Sequence, residues 1–355
     1  MARCLLSAAA TSIRRTLTSR PILNRWQVNV GASLLLTVGA LASIARSQDG
    51  GDSLDIVQLR SNFYVIAGAG GNISAQIGPD GVVLVDAGSS DAAGSVQAAL
   101  KKVTDLPIRY VIDTGPDTDH VGGNGALAKA GRSIFAAGAE PLGGEFAKAM
   151  TNGFAASIIA PEDLLLRMSA PTGQKAPFPS DSWPTEAFAE KRKYIYMNHE
   201  GVEIFRMLAA HSDSDSIVFF RASDIIAAGA VLDANRFPVI DLEKGGSIQG
   251  EIDALNRIIE LSVRPIPFVF QGGGTYVVPG HGHVYDISDV VDYRDMIVVI
   301  RDLIQDMIHH GKTLAEIQEA SPAKGWERQY GSRSGPWTTN NFVEAIYKSL
   351  TRKSK

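Results

Sequence analysis

Between residues 55 and 86 four short apolar runs follow one another: 55–60 (DIVQLR), 63–67 (FYVIA), 72–77 (NISAQI) and 82–86 (VVLVD). Glycine, asparagine and a Pro-Asp-Gly segment separate them. Runs this short, rich in β-branched residues and punctuated by turn formers, specify strands, so the body of the chain begins as an antiparallel meander.

The pattern then changes period. A helical stretch is expected over 91–103, a buried strand at 109–114 (RYVIDT), a helix over 120–131, a strand from Ser133 to Ala136 and a helix over 139–151. Residues 169–186 are rich in Pro and Ser and read as a loop or flap. A second strand-rich stretch covers 193–229, with Asn198-His199-Glu200-Gly201 as a hairpin turn. Helices follow over 247–261 and 287–311, the second with Val290, Ile297, Ile300, Ile304 and Met307 on one stripe, and a last one over 340–350. Strands followed by helices, twice over, predict two sheets packed face to face with helices outside: an α/β fold in a four-layer αββα sandwich.

The net charge of −4 conceals a division. The first 48 residues hold six arginines (Arg3, Arg14, Arg15, Arg20, Arg25 and Arg46) with no lysine and no acid, whereas the remainder has 28 bases against 38 acids. Residues 28–45 form an apolar run that follows a basic region and ends in small residues, and Ser43-Ile44-Ala45 or Ala45-Arg46-Ser47 fits a small-x-small cleavage site. Residues 1–47 therefore read as a signal peptide, and 48–355 as an exported, periplasmic or secreted, domain with a C-terminal helical extension. A membrane anchor or an organelle-targeting presequence is the alternative. The run is short of the ~20 residues of a comfortable span, so membrane contact is expected only if the segment stays attached. An acidic body argues against nucleic-acid binding, which needs clustered Lys and Arg, and the expected partner is a small-molecule substrate. The only cysteine is Cys4. The body thus has no disulfide and no thiolate, and any metal there is held by histidine and carboxylate.

Three of the seven histidines lie in loops directly after expected strands. His120 closes Asp113-Thr114-Gly115-Pro116-Asp117-Thr118-Asp119-His120, His211 opens His211-Ser212-Asp213-Ser214-Asp215, and His281 sits in Pro279-Gly280-His281-Gly282-His283. Loops tethered to strands are where catalytic groups are usually held. Asp117, Asp119, His120 and His211 suffice for an acid–base cluster. Structural readings stay open beside this one: His120 and Asp119 capping a helix, His211 in a hydrogen-bonded turn, His281 and His283 stabilising a glycine-rich loop. His199 reads as a solvated turn residue, and His309 and His310 as helix-end residues suited to the dipole. Asp86 reads as a brace for the site loops.

Taken together, Gly70-Gly71-Asn72-Ile73, Leu84-Val85-Asp86-Ala87-Gly88, Asp119-His120-Val121-Gly122-Gly123-Asn124, the His211 loop and Pro279-Gly280-His281-Gly282 resemble the metallo-β-lactamase fold superfamily, and its exported bacterial hydrolase-like branch, over most of residues 55–350. That resemblance implies the αββα fold and a metal motif His-x-His-x-Asp-His. Here the motif is degenerate: its six positions read Gly115-Pro116-Asp117-Thr118-Asp119-His120, and the Asp that bridges two metals falls on Gly229-Ala230. Two-metal hydrolysis needs both ions a few ångströms apart, and neither Gly115 nor Ala230 offers a ligand.

The resemblance implies a hydrolase-like enzyme that attacks an ester, lactone, thioester or amide carbonyl, with β-lactams one option that the missing ligands disfavour. The ligands that remain restrict the activation of water to a mononuclear site. The candidate ligands are Asp119, His120 and His281, with Asp117 and His211 nearby, and Asp119 and His120 are the catalytic candidates. The ion would be zinc or, given the extra carboxylate, manganese or iron. The alternatives are a metal-free ligand-binding descendant and an acid–base lyase or isomerase.

Overall fold

The computed structural model describes residues 54–134, 154–265 and 273–352. The expected leader (1–47) and the helix expected over 139–151 lie outside the described residues. The meander forms as expected: β1 (Asp55–Arg60), β2 (Phe63–Ala69), β3 (Gly71–Gly78) and β4 (Gly81–Val85) pair antiparallel in sequence order. Three strands extend it in parallel, β5 (Ile108–Ile112), β6 (Ser157–Pro161) and β7 (Glu186–Phe188), completing a seven-stranded sheet in the order β1-β2-β3-β4-β5-β6-β7.

The second sheet contains β8 (Arg192–Met197), β9 (Glu200–Met207), β10 (Asp215–Phe220), β11 (Ile225–Asp233) and β12 (Tyr276–His281), ordered β12-β11-β10-β9-β8. All its pairs are antiparallel except β11 with β12. The β8–β9 turn is tighter than the four residues expected. Met197 pairs with Glu200, and Asn198 and His199 take φ of 52° and 65°, the left-handed pair of a two-residue hairpin. That turn grips the β3–β4 turn of the other sheet: Asp80 N–H donates to Asn198 Oδ1 (2.9 Å), and Asn198 N–H donates to Asp80 Oδ2 (2.7 Å).

Period-2 alternation makes the layers. Val83 and Val85 of β4 point between the sheets, where they join Phe63, Ile112, Ile204, Val218, Phe220 and Ala227. Their neighbours Val82 and Leu84 point outward, against Val96 and Leu100 of α1 (Ala93–Leu100) and Leu127 of α3 (Asn124–Ala130). On the far side, Phe205, Ile217 and Ile226 share one core with α5 (Ile248–Leu261), α6 (Ile287–His309), α7 (Leu314–Ala320), α8 (Glu327–Tyr330) and α9 (Thr339–Thr351). The stripe of α6 is buried through Val290, Ile297, Ile300 and Ile304, and Asp286 and Asp289 close a capping box at its start. The molecule is the four-layer αββα sandwich. No helix among the described residues is long and apolar enough to cross a membrane.

Two expectations are corrected. The helix expected over 120–131 is two, α2 (Thr118–Val121) and α3, broken at Gly122-Gly123. The break lets the chain press onto the first site loop: a Cβ on Gly123 would lie 2.3 Å from Ala87 O. The strand expected from Ser133 to Ala136 is not formed at Ser133 or Ile134. The ladder position beside β5 is filled instead by β6, whose Ile158 and Ile159 pair with Val111 and Ile112. After β6 comes α4 (Glu162–Met168). The expected flap is a loop whose Phe178 and Trp183 cover Val121, Leu164 and Met168, and Trp183 Nε1 donates to Phe178 O (2.9 Å).

A candidate metal centre at the strand ends

The site lies where β4, β5, β11 and β12 end. Open α/β sheets bind ligands outside the carboxyl ends of their parallel strands. Just past β4, Asp86 holds φ of 65°, which turns its carboxylate under the next loop. There it accepts from Thr114 N–H (2.8 Å) and Thr114 Oγ1 (2.7 Å to Oδ2), and it faces His120 Nδ1 at 2.8 Å. This contact makes Nδ1 the protonated donor and leaves Nε2 as the atom offered to a ligand. His120 is almost fully buried. Burial disfavours its charged form, but Asp86 outweighs this and pushes its pKa up to about 9.

His281 enters from the end of β12. Its loop is pinned by buried Asn72, whose Nδ2 donates to Pro279 O (3.0 Å) and Gly282 O (2.9 Å). Gly280 permits the close approach, since a Cβ there would lie 2.6 Å from Gly229 O and 3.0 Å from His120 Cε1. His281 Nε2 is 2.9 Å from Asp119 Oδ2. That hydrogen bond holds the Asp119 pKa down to about 2, against partial burial. Asp119, His120 and His281 each present a ligand atom, and all three atoms lie within 4.8 Å of one another.

Asp117 and His211 form a second unit. His211 Nδ1 faces Val239 O (2.7 Å) and Nε2 faces Asp117 Oδ2 (2.9 Å). Both ring nitrogens meet acceptors, an arrangement that an imidazolium satisfies. Burial opposes the charge, but the Asp117 hydrogen bond prevails and lifts the pKa to about 9. The other Asp117 oxygen takes Lys244 Nζ at 2.7 Å. Burial works to raise the Asp117 pKa, but these two cationic partners hold it far below the usual carboxylate range. Behind them Asp215 accepts from Ser212 N–H and Ser212 Oγ, both 2.6 Å, and its burial raises its pKa to about 6.

All five residues expected from the sequence line one cavity of about 230 Å³. Val231, Leu232, Pro238 and Val239 give it an apolar wall; Arg236 and Trp337, neither of which the sequence singled out, complete it. Arg236 donates through Nε to Asp233 Oδ2 (2.5 Å).

Comparison with known families matches residues 59–294 to the model of the metallo-beta-lactamase superfamily. The chain belongs to the metallo-β-lactamase superfamily. Among solved structures, the superfamily fold aligns with a double mutant of a sec-alkyl sulfatase (TM-score 0.59, 12% identity, 84% of this chain and 50% of that one). It also aligns with the stereoselective inverting sec-alkylsulfatase of Pseudomonas sp. (TM-score 0.56, 12% identity, 84% and 50%). A metallo-beta-lactamase from Pontibacter korlensis aligns at TM-score 0.48 and 14% identity, over 69% of this chain and 98% of that one. The chain thus spans about half the length of the sulfatases. Comparison with curated proteins gives no match.

Of the three positions that depart from the superfamily's ligands, the structure brings two, Gly115 and Ala230, together. A Cβ built on Gly115 would lie 2.7 Å from the Ala230 Cβ. What remains fits one divalent ion. Two imidazoles and a carboxylate converge, one imidazole is braced by Asp86, and three such ligands with an open position are what a catalytic centre uses.

Proposed function

We propose that this protein is a metal-dependent hydrolase working with one divalent ion held by Asp119, His120 and His281. The convergence of those three ligand atoms within 4.8 Å carries the reading. When bound, such an ion supplies Lewis acidity, acidifying water and polarising the bond to be cleaved. The chain's own groups do the rest. Asp86 fixes the His120 ring, so its Nε2 is presented without rearrangement. With one Asp119 oxygen turned to the ion, the other is left to orient the attacking water and accept its proton. Asp117 and His211, backed by Lys244, add a polar part to the cavity wall, and Val231, Leu232, Pro238 and Val239 give the substrate an apolar surface. The substrate is a small molecule with an ester, lactone, thioester or amide carbonyl, or a sulfate ester.

Elemental mass spectrometry of the purified protein, with metal added back, tests this. About one ion per chain is expected in the wild type, and much less in His281→Ala. A panel of carbonyl and alkyl sulfate esters should then show turnover abolished by Asp119→Ala. Metal-free protein after reconstitution, or stoichiometric metal in His281→Ala, would overturn the assignment.

A further inference from the structure

Resting on the single-ion reading above, we infer that Lys244 is the residue that keeps the Asp117–His211 half of the site closed to a second ion. In this half both Asp117 oxygens are engaged, one by Lys244 Nζ at 2.7 Å and the other by His211 Nε2 at 2.9 Å. An ion using those two donors would have to break both contacts and then sit beside a fixed ammonium. Two positive charges a few ångströms apart in a partly buried pocket repel strongly.

Lys244 is built into the site. Its Nζ also contacts Asp241 Oδ2 (3.0 Å), its backbone N–H donates to Asp241 Oδ1 (3.0 Å), and its carbonyl accepts from Asp213 N–H (3.0 Å) and Arg167 Nη2 (2.7 Å). The loop is sewn to the histidine it serves, because Asp241 N–H donates to His211 O (2.9 Å). The ammonium is therefore aimed at Asp117 by the fold itself, with two-thirds of its side chain covered.

The ligands that would compensate are absent. Gly115 has no donor, and Ala230 presents a methyl group where a Cβ on Gly115 would collide with it. By contrast, among the described residues no lysine or arginine forms an ion pair with Asp119, whose side-chain partner is His281. One half of the site is thus set up for a metal cation, and in the other Asp117 already carries an organic one.

Zinc titration of the chelator-stripped, full-length protein, read by elemental analysis after desalting and by calorimetry, tests the inference without recourse to activity. The wild type, Lys244→Arg and Ala230→Asp should each saturate at one ion per chain. Lys244→Met combined with Ala230→Asp, which removes the ammonium and restores a carboxylate, should take two. The same pair built with Lys244→Gln guards against a packing defect, and unchanged first-ion affinity certifies the fold. Two ions in the wild type, two in Ala230→Asp alone, or one in both folded double variants would overturn the role of Lys244 while leaving the single-ion hydrolase standing in the latter two cases. A wild type that takes no zinc overturns the functional reading and this inference together.

Discussion

The Asp86 carboxylate stands 2.8 Å from His120 Nδ1 and so decides which nitrogen of that imidazole the cavity receives. Asp86→Asn tests the relationship cleanly, because Asn fits the same space and tolerates the left-handed φ of 65°. It removes the negative charge that orients the ring. Metal affinity should fall about 10- to 100-fold, in line with other partners that orient a ligating histidine. Competition with a chromophoric chelator reads this. Unchanged affinity would reduce Asp86 to a brace for the Thr114 turn.

The same contact predicts a pH dependence. Without metal, His120 and His211 stay protonated to about pH 9, because Asp86 and Asp117 outweigh the burial that opposes their charge. Their folded pKa values exceed the unfolded value near 6.5, so this stabilisation is complete below pH ~6.5 and lost as pH rises through about 9, with an upper limit of about 3 kcal/mol for each ring. Denaturant unfolding in chelator at pH 6.5 and 9.5 should show the decline. An ion must displace the His120 Nε2 proton, so metal affinity should rise about tenfold per pH unit below 9. Calorimetry in two buffers of different ionisation enthalpy would detect the released proton, and a pH-independent affinity would exclude the linkage.

Much of this was legible in the chain because it is local. The Val82–Val85 alternation gives a two-faced strand, and the Pro-Asp-Gly and Asn-His turns mark where the sheet reverses. His120, His211 and His281 could be picked out because each follows a strand. What sequence could not supply is who meets whom. Lys244 and Asp117 are 127 residues apart, and Asn72 reaches Pro279 across 207, so no spacing rule couples them. Propensity fails at Ser133 for a related reason: a strand exists only where a ladder neighbour is available, and β6 already occupies that edge.

Glu251 presents a different test. It is fully buried in the first turn of α5 with neither carboxylate oxygen hydrogen-bonded among the described residues. Burial drives its pKa well above the usual range, and nearby Asp215 adds to this. Because the folded pKa is raised, this acid costs increasing stability as pH climbs from its unfolded value toward its folded one. Glu251→Met, which fills the space without a polar group, should stabilise the protein at pH 7–8 by roughly 1–3 kcal/mol. Its advantage should shrink toward pH 4. A destabilised variant would mean that the carboxyl group has a partner such as ordered water.

The C-terminal helix is integral to the domain although the family match ends at residue 294. Phe342 of α9 stacks on Phe237 with ring centroids 4.7 Å apart and planes 7° from parallel, and both rings are essentially inaccessible. Phe237 follows Arg236 of the cavity wall, and Trp337, also in that wall, precedes the Thr338 cap of α9. Removing the Phe342 ring therefore empties the joint between helix and site. Phe342→Ala should cost about 3–5 kcal/mol, the usual penalty for a buried phenylalanine. Amide exchange over 336–351 should accelerate more than exchange in β2–β4, because Phe237 and Phe342 belong to the core between the five-stranded sheet and its helices. A penalty below about 1 kcal/mol, the range of a surface change, would show that α9 is appended to the sandwich and does not contribute to closing its cavity.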